Sequence, residues 1–108
     1  MSSEAVLSLS PYLQTVVRNG EPELAAAGAW TAHHAAELER VVDAVSGDPA
    51  LIHATTINMR GIEAFDTYGA WLLERLTRSR HAQGQDLRVL DLAERYQGLL
   101  DEVALSRV

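Results

Sequence analysis

Phe65-Asp66-Thr67-Tyr68-Gly69-Ala70-Trp71-Leu72-Leu73 stands mid-chain, after an apolar run and before the clearest helical pattern in the sequence. An acid and a hydroxyl lie side by side where that helix should begin. Both are favoured helix starters, because a side-chain oxygen can accept a bond from an unpaired first-turn N–H. The same N-terminus also favours a phosphate, through its free N–H groups and the helix dipole. At about 100° per residue, Gly69, Leu72, Leu73 and Leu76 share one side, and Trp71, Glu74, Arg75 and Arg78 the other. Trp71 therefore falls on the polar side, one turn from Thr67. A tryptophan there has two readings: an interface anchor, since Trp is enriched at protein contacts, or a ring covered by a neighbouring loop or by the N-terminal arm.

Downstream, the helix is expected to run from Thr67 to Gln83, with Gly84 as the residue that closes it in the left-handed conformation. Leu87-Arg88-Val89-Leu90 reads as a short strand. A last helix spans Ala93 to Ala104, with Tyr96, Leu99, Leu100 and Val103 on one stripe.

Upstream, Leu51 to Met59 reads as a buried strand and Arg60 to Phe65 as a short loop. Before it, a helix is expected to start at a Thr31 cap, bury Leu38, Val42 and Val45 with Ala35 and Val41 beside them, and end at Gly47-Asp48-Pro49. Tyr12 to Val17 reads as a strand. Asn19-Gly20 is a strong hairpin signal, because both residues tolerate positive φ. The returning strand, Leu24 to Ala29, is alanine-rich and a poor match to β-propensity. Trp30 is expected as core or hinge packing, and residues 1–10 as an N-terminal arm. A hairpin followed by alternating helices and strands gives a single α/β domain over residues 11–108. Its sheet is expected to be mixed and mostly parallel, with about four strands, the first antiparallel, flanked by three or four helices.

Composition narrows the function classes. A chain of 108 residues supports one core. A net charge of -6 argues against a nucleic-acid partner. The one local basic concentration is Arg75, Arg78, Arg80 and Arg88, interrupted by Glu74 and Asp86. With no cysteine, a disulfide framework and a thiolate zinc site are excluded. No apolar run is long enough to span a membrane, and the N-terminus lacks the pattern of a signal peptide. The expectation is a cytoplasmic chain with no direct membrane insertion.

Little points to catalysis. Asp66, Glu63, Thr67 and the four histidines are the candidates. His33 and His34 face different directions on the wheel, His53 falls in a strand and His81 near a helix end, so metal-ligand spacing is absent. No glycine-rich cofactor loop, phosphate-binding loop or nucleophile elbow occurs. We expect no enzyme activity, no cofactor and no metal.

Ile57-Asn58-Met59-Arg60-Gly61-Ile62, followed by Asp66-Thr67-Tyr68-Gly69-Ala70-Trp71-Leu72-Leu73, resembles the STAS domains of sulfate transporters and anti-sigma-factor antagonists. The likeness is greatest to the STAS domain at the N-terminus of Mla-type ABC lipid-transporter permeases, and it extends from about Tyr12 to Val103. Gly28-Ala29-Trp30-Thr31 matches the family's opening of the first helix. The resemblance implies a small mixed sheet flanked by helices. It also implies a regulatory domain docked on the transporter's cytoplasmic ATPase subunit and carried by a permease to which it is fused C-terminally, or standing free. The contact would form around Asp66, Thr67, Tyr68, Trp71, Arg75 and Arg78. The alternative implied is an anti-sigma-factor antagonist, phosphorylated at Thr67 by its anti-sigma-factor kinase.

Three departures from the family pattern bear on Thr67. Asn58 replaces an Asp, Arg60 replaces a Ser, and Tyr68 replaces a small residue. The first two remove a carboxylate and add a cation, so a phosphate near them would be better tolerated; the third adds bulk to the docking surface.

Overall fold

The computed structural model describes residues 4–18, 20–47 and 54–105. The fold is α/β, built on a five-stranded mixed sheet in the order β1-β2-β3-β4-β5. Its strands are β1 (Glu4–Ser10), β2 (Leu13–Arg18), β3 (Glu21–Trp30), β4 (Thr56–Phe65) and β5 (Arg88–Leu90). A short 3-10 turn (Ala32–His34) leads into α1 (Ala35–Gly47); α2 (Thr67–Ala82) and α3 (Glu94–Leu105) follow. The β1/β2 and β2/β3 pairs are antiparallel, and the β3/β4 and β4/β5 pairs are parallel.

The hairpin is where the turn chemistry places it. Arg18 pairs with Glu21, and Gly20 takes φ +80°; Asn19 lies outside the described residues. The alanine-rich β3 becomes the central strand, bonded on both sides. Position in the sheet outweighs its weak propensity. Leu24, Ala26 and Trp30 face the core.

Four sequence expectations change. The stretch read as an N-terminal arm runs from Glu4 to Ser10 as an edge strand, because the outer backbone groups of β2 need partners. It brings the sheet to five strands. The fourth strand is shifted along the chain. Arg60 to Phe65 is not a loop but the second half of β4, paired with Ala27 to Trp30 across two register shifts that absorb extra residues. Ala54 and Thr55 precede the strand, and Leu51 to His53 lie outside the described residues. Thr31 sits at a helix N-cap position, but its side chain makes no capping bond. Finally, Arg80 does not belong to a basic surface. It is buried at 1% exposure, and its Nη2 lies 3.5 Å from the carbonyl oxygen of Val45, near the end of α1. A guanidinium suits that end of a helix, where carbonyls lack partners and the dipole is negative.

β3, β4 and β5 are neighbours in chain order, so right-handed crossovers put α1 and α2 on the same side of the sheet. One core results. Leu38, Val42 and Val45 of α1, Leu72, Leu73 and Leu76 of α2, and Val103 of α3 join Leu13, Leu24, Trp30, Ile57 and Phe65 in a single cluster. On the other side of the sheet, Gln14, Ala25, Ala27, Asn58, Arg60 and Gly61 line a shallow depression of about 220 Å³. Among the described residues no helix is long and apolar enough to cross a membrane.

Two glycines in helices differ sharply. A Cβ on Gly69 would collide with the carbonyl group of Trp30, whereas one on Gly98 would meet nothing within 4 Å. Gly69→Ala is expected to cost about 2 kcal/mol or more through forced separation of α2 from β3. Gly98→Ala is expected to gain about 0.5–1 kcal/mol, since Gly in a helix interior carries an entropic penalty. Urea denaturation of the two variants beside the parent chain checks both signs.

Candidate functional site

The start of α2 is fixed by one carboxylate. Asp66 is extended (φ -126°, ψ -172°) and serves as the N-cap; its Oδ1 accepts from the Gly69 N–H at 3.0 Å. Its Oδ2 accepts from the Ala32 N–H at 3.1 Å, at the opening turn before α1. One side chain therefore caps two helix starts. Thr31 itself makes no capping bond; the His34 N–H within its reach donates to the Thr31 carbonyl oxygen at 3.0 Å. The Asp66 N–H points back to the Trp30 carbonyl oxygen at 3.4 Å. Trp30 is fully buried, and its indole N–H donates to the Tyr12 carbonyl oxygen at 3.1 Å. Trp30 thus locks the end of β3 to the hairpin on one side and to the α2 start on the other.

With Asp66 as cap, Thr67 is the first helical residue and is exposed. Tyr68 is half-buried against α1, its hydroxyl 3.4 Å from the Ala35 carbonyl oxygen, with the Glu39 carboxylate as a further acceptor. Burial pushes the phenol above its ordinary value of 10.0; the bond to Glu39 and that residue's charge push the same way, while the Arg75 charge opposes them.

Trp71 is 38% exposed, and the N-terminal segment does not cover it. Residues 4–10 pair with β2 at the far edge of the sheet. Its ring instead packs on surface neighbours. The Tyr68 ring lies 5.8 Å away, tilted by 37°, and the Arg75 guanidinium sits 5.6 Å from the indole centroid. Arg75 is held in turn by Asp43 at 2.7 Å and Glu39 at 3.7 Å, both on α1. The result is a pre-ordered patch of Tyr68, Trp71 and Arg75 whose cation is already neutralised. Arg78 lies on the same side but two turns on, roughly 10 Å along the helix from Trp71. It is 3.7 Å from Glu74 and lines a separate groove of about 450 Å³ with Thr77, His81 and Leu87.

The structure thus places Asp66, Thr67, Tyr68 and Trp71 at the start of α2, sets Arg75 against Trp71 one turn on, and turns Arg78 to Glu74 and a separate groove. It also adds residues that the sequence reading did not attach to this surface. Glu39 and Asp43 come from α1, and Glu102, Val103 and Leu105 of α3 line a groove with Thr67. Leu105 had one local signal, an apolar residue off the α3 stripe; the others have none, because their contacts cross between elements.

Asn58 and Arg60 do not bear on Thr67 in the way expected. With β4 continuous to Phe65, five strand residues separate Arg60 from the strand end, roughly 16 Å. Arg60 instead pairs with Asp91 at 3.4 Å, and the buried Asn58 accepts from the Arg60 N–H at 2.8 Å. The histidines are dispersed. His34 meets the Tyr12 hydroxyl at 3.0 Å, His81 meets Asp86 at 3.1 Å, His33 is exposed, and His53 lies outside the described residues. Glu63 is exposed on β4. Among the described residues no group of three or more His, Asp or Glu is placed to hold a metal ion.

No protein-family model matches the chain, and no curated protein matches it.

Substituting Asp66 separates its two caps. Asp66→Ala removes both and is expected to cost about 2 kcal/mol, roughly 1 kcal/mol for each bond. Asp66→Asn keeps one acceptor oxygen and replaces the other by an amide donor, so about half of that loss is expected. Thermal unfolding followed by circular dichroism gives the order parent, Asn, Ala.

Proposed function

We propose that this chain is a non-enzymatic docking and regulatory domain of an Mla-type ABC lipid transporter. It binds the cytoplasmic ATPase subunit through the surface at the start of α2. In this reading the domain lies in the cytoplasm, at the inner face of the membrane where it is fused to or carried by the permease. It needs no cofactor. The observation that supports the reading most directly is Trp71, a 38%-exposed tryptophan packed between Tyr68 and Arg75. A pre-ordered aromatic loses little freedom on binding, and such residues dominate interface energetics. The likeness of Asp66-Thr67-Tyr68-Gly69-Ala70-Trp71-Leu72-Leu73 to the transporter-linked pattern supplies the identity of the partner.

The same surface carries a second reading. Asp66 rather than Thr67 makes the cap, and Thr67 is exposed, so its hydroxyl is accessible to a kinase. This favours an anti-sigma-factor antagonist whose partner binding is switched at Thr67. A phosphate there would add about -1.5 to -2 charges and oppose an acidic partner or relieve a basic one.

Binding of the purified ATPase subunit, measured by interferometry, tests the first reading. Trp71→Ala is expected to weaken it about thirtyfold, the effect of a hot-spot residue, with an unchanged thermal midpoint. Arg75→Ala should weaken it less. An unaltered affinity in Trp71→Ala sinks the assignment of this surface. For the second reading, incubation with ATP and the kinase partner should add one phosphate at Thr67 by mass spectrometry; an unmodified Thr67 counts against it.

A further inference from the structure

We propose that the docking partner presents a cationic amphipathic segment, whose apolar side chain enters the groove between the start of α2 and the end of α3. The proposal deepens the docking reading and rests on it. Among the described residues, Trp71 and Leu105 are the large hydrophobic side chains left exposed, Leu105 at 73%. They belong to one surface, because Thr67 connects them. It lies one turn before Trp71 on α2, and it lines a groove of about 500 Å³ with Glu102, Val103 and Leu105. That groove has room for a leucine or phenylalanine side chain.

Charge selects the partner. The last turn of α3 has no basic residue, and Asp101 and Glu102 are exposed near it. Carboxylates at a helix C-terminus face the negative end of the dipole, an unfavourable placement that an incoming cation relieves. At the Trp71 end, Glu39 and Asp43 outnumber the one Arg75 that they hold. An apolar groove edged by Glu102, with Asp101 beside it and the α1 acids beyond Trp71, suits a helix with leucines on one side and Lys or Arg flanking them. The same acids repel an anionic lipid surface or a nucleic acid, so neither is the occupant.

The test titrates the full chain with two labelled helical peptides of about 14 residues, one of Leu, Ala and Lys and its counterpart with every Lys replaced by Glu. Fluorescence anisotropy gives the affinities and amide chemical shifts locate the site. The Lys peptide is expected to bind at least about tenfold tighter than the Glu peptide, and less tightly as salt rises. Shifts should centre on Thr67, Glu102, Val103 and Leu105. Glu102→Lys should weaken binding about fivefold, and Leu105→Ser, at an exposed position, should weaken it with the fold intact. Equal affinities for the two peptides, no binding by either, or shifts confined to another surface would overturn the proposal. Failure with the peptides beside a Trp71-dependent ATPase interaction leaves docking standing and removes the groove. Peptide binding in the groove without ATPase binding does the reverse.

Discussion

The carboxylate of Asp66 is the constraint on which the remaining geometry depends. One oxygen closes the first turn of α2, and the other reaches back to Ala32, where the chain leaves β3 for α1. Two helices that start 35 residues apart in the sequence, at Ala32 and Thr67, are thereby tied to one side chain. Gly69 allows this, because only a residue without Cβ lets α2 approach the Trp30 carbonyl. The fully buried Trp30 then transmits the position to the hairpin through its bond to Tyr12. The junction is local in space and distributed in sequence. Its energy is modest, on the order of 1 kcal/mol per cap, but it sets the angle at which α2 offers its outer surface.

That outer surface is unusual in its order rather than in its charge. A lone exposed tryptophan is common enough. Trp71 differs because it is braced on both sides, by an aromatic ring and by a guanidinium that two α1 acids hold. The arginine that reads from sequence as an available anchor is committed to holding the tryptophan. The patch is consequently aromatic and acid-rimmed, not basic. The end of α3 continues it with a second exposed apolar side chain and further acids.

How far the sequence could be read follows from where each interaction comes from. The hairpin at Asn19-Gly20, the stripes of α1, α2 and α3 and the Gly84 stop depend on residues close in the chain, and these match the structure closely. The errors share a different cause. Arg60-Gly61 reads as a break, but parallel pairing with Ala27 draws both into β4. Residues 4–10 read as an arm because a strand's need for a neighbour is invisible until the neighbour's free edge exists. Arg80 lies on the apolar stripe of α2 by spacing, and the guanidinium there meets the carbonyl of Val45, a partner from another element.

By itself, then, the sequence determined the α/β class, the order of hairpin and helices, the face each helix buries and the helix start at Asp66-Thr67, because periodicity, capping and turn chemistry act within a few residues. The tertiary structure alone decided which side chain caps which helix and that Arg75 is neutralised. It also decided that Thr67 looks onto Leu105 of α3 rather than toward Asn58 and Arg60. Those are contacts between elements, and their partners are chosen by strand order and by the close approach of α2 to β3, which no local pattern encodes.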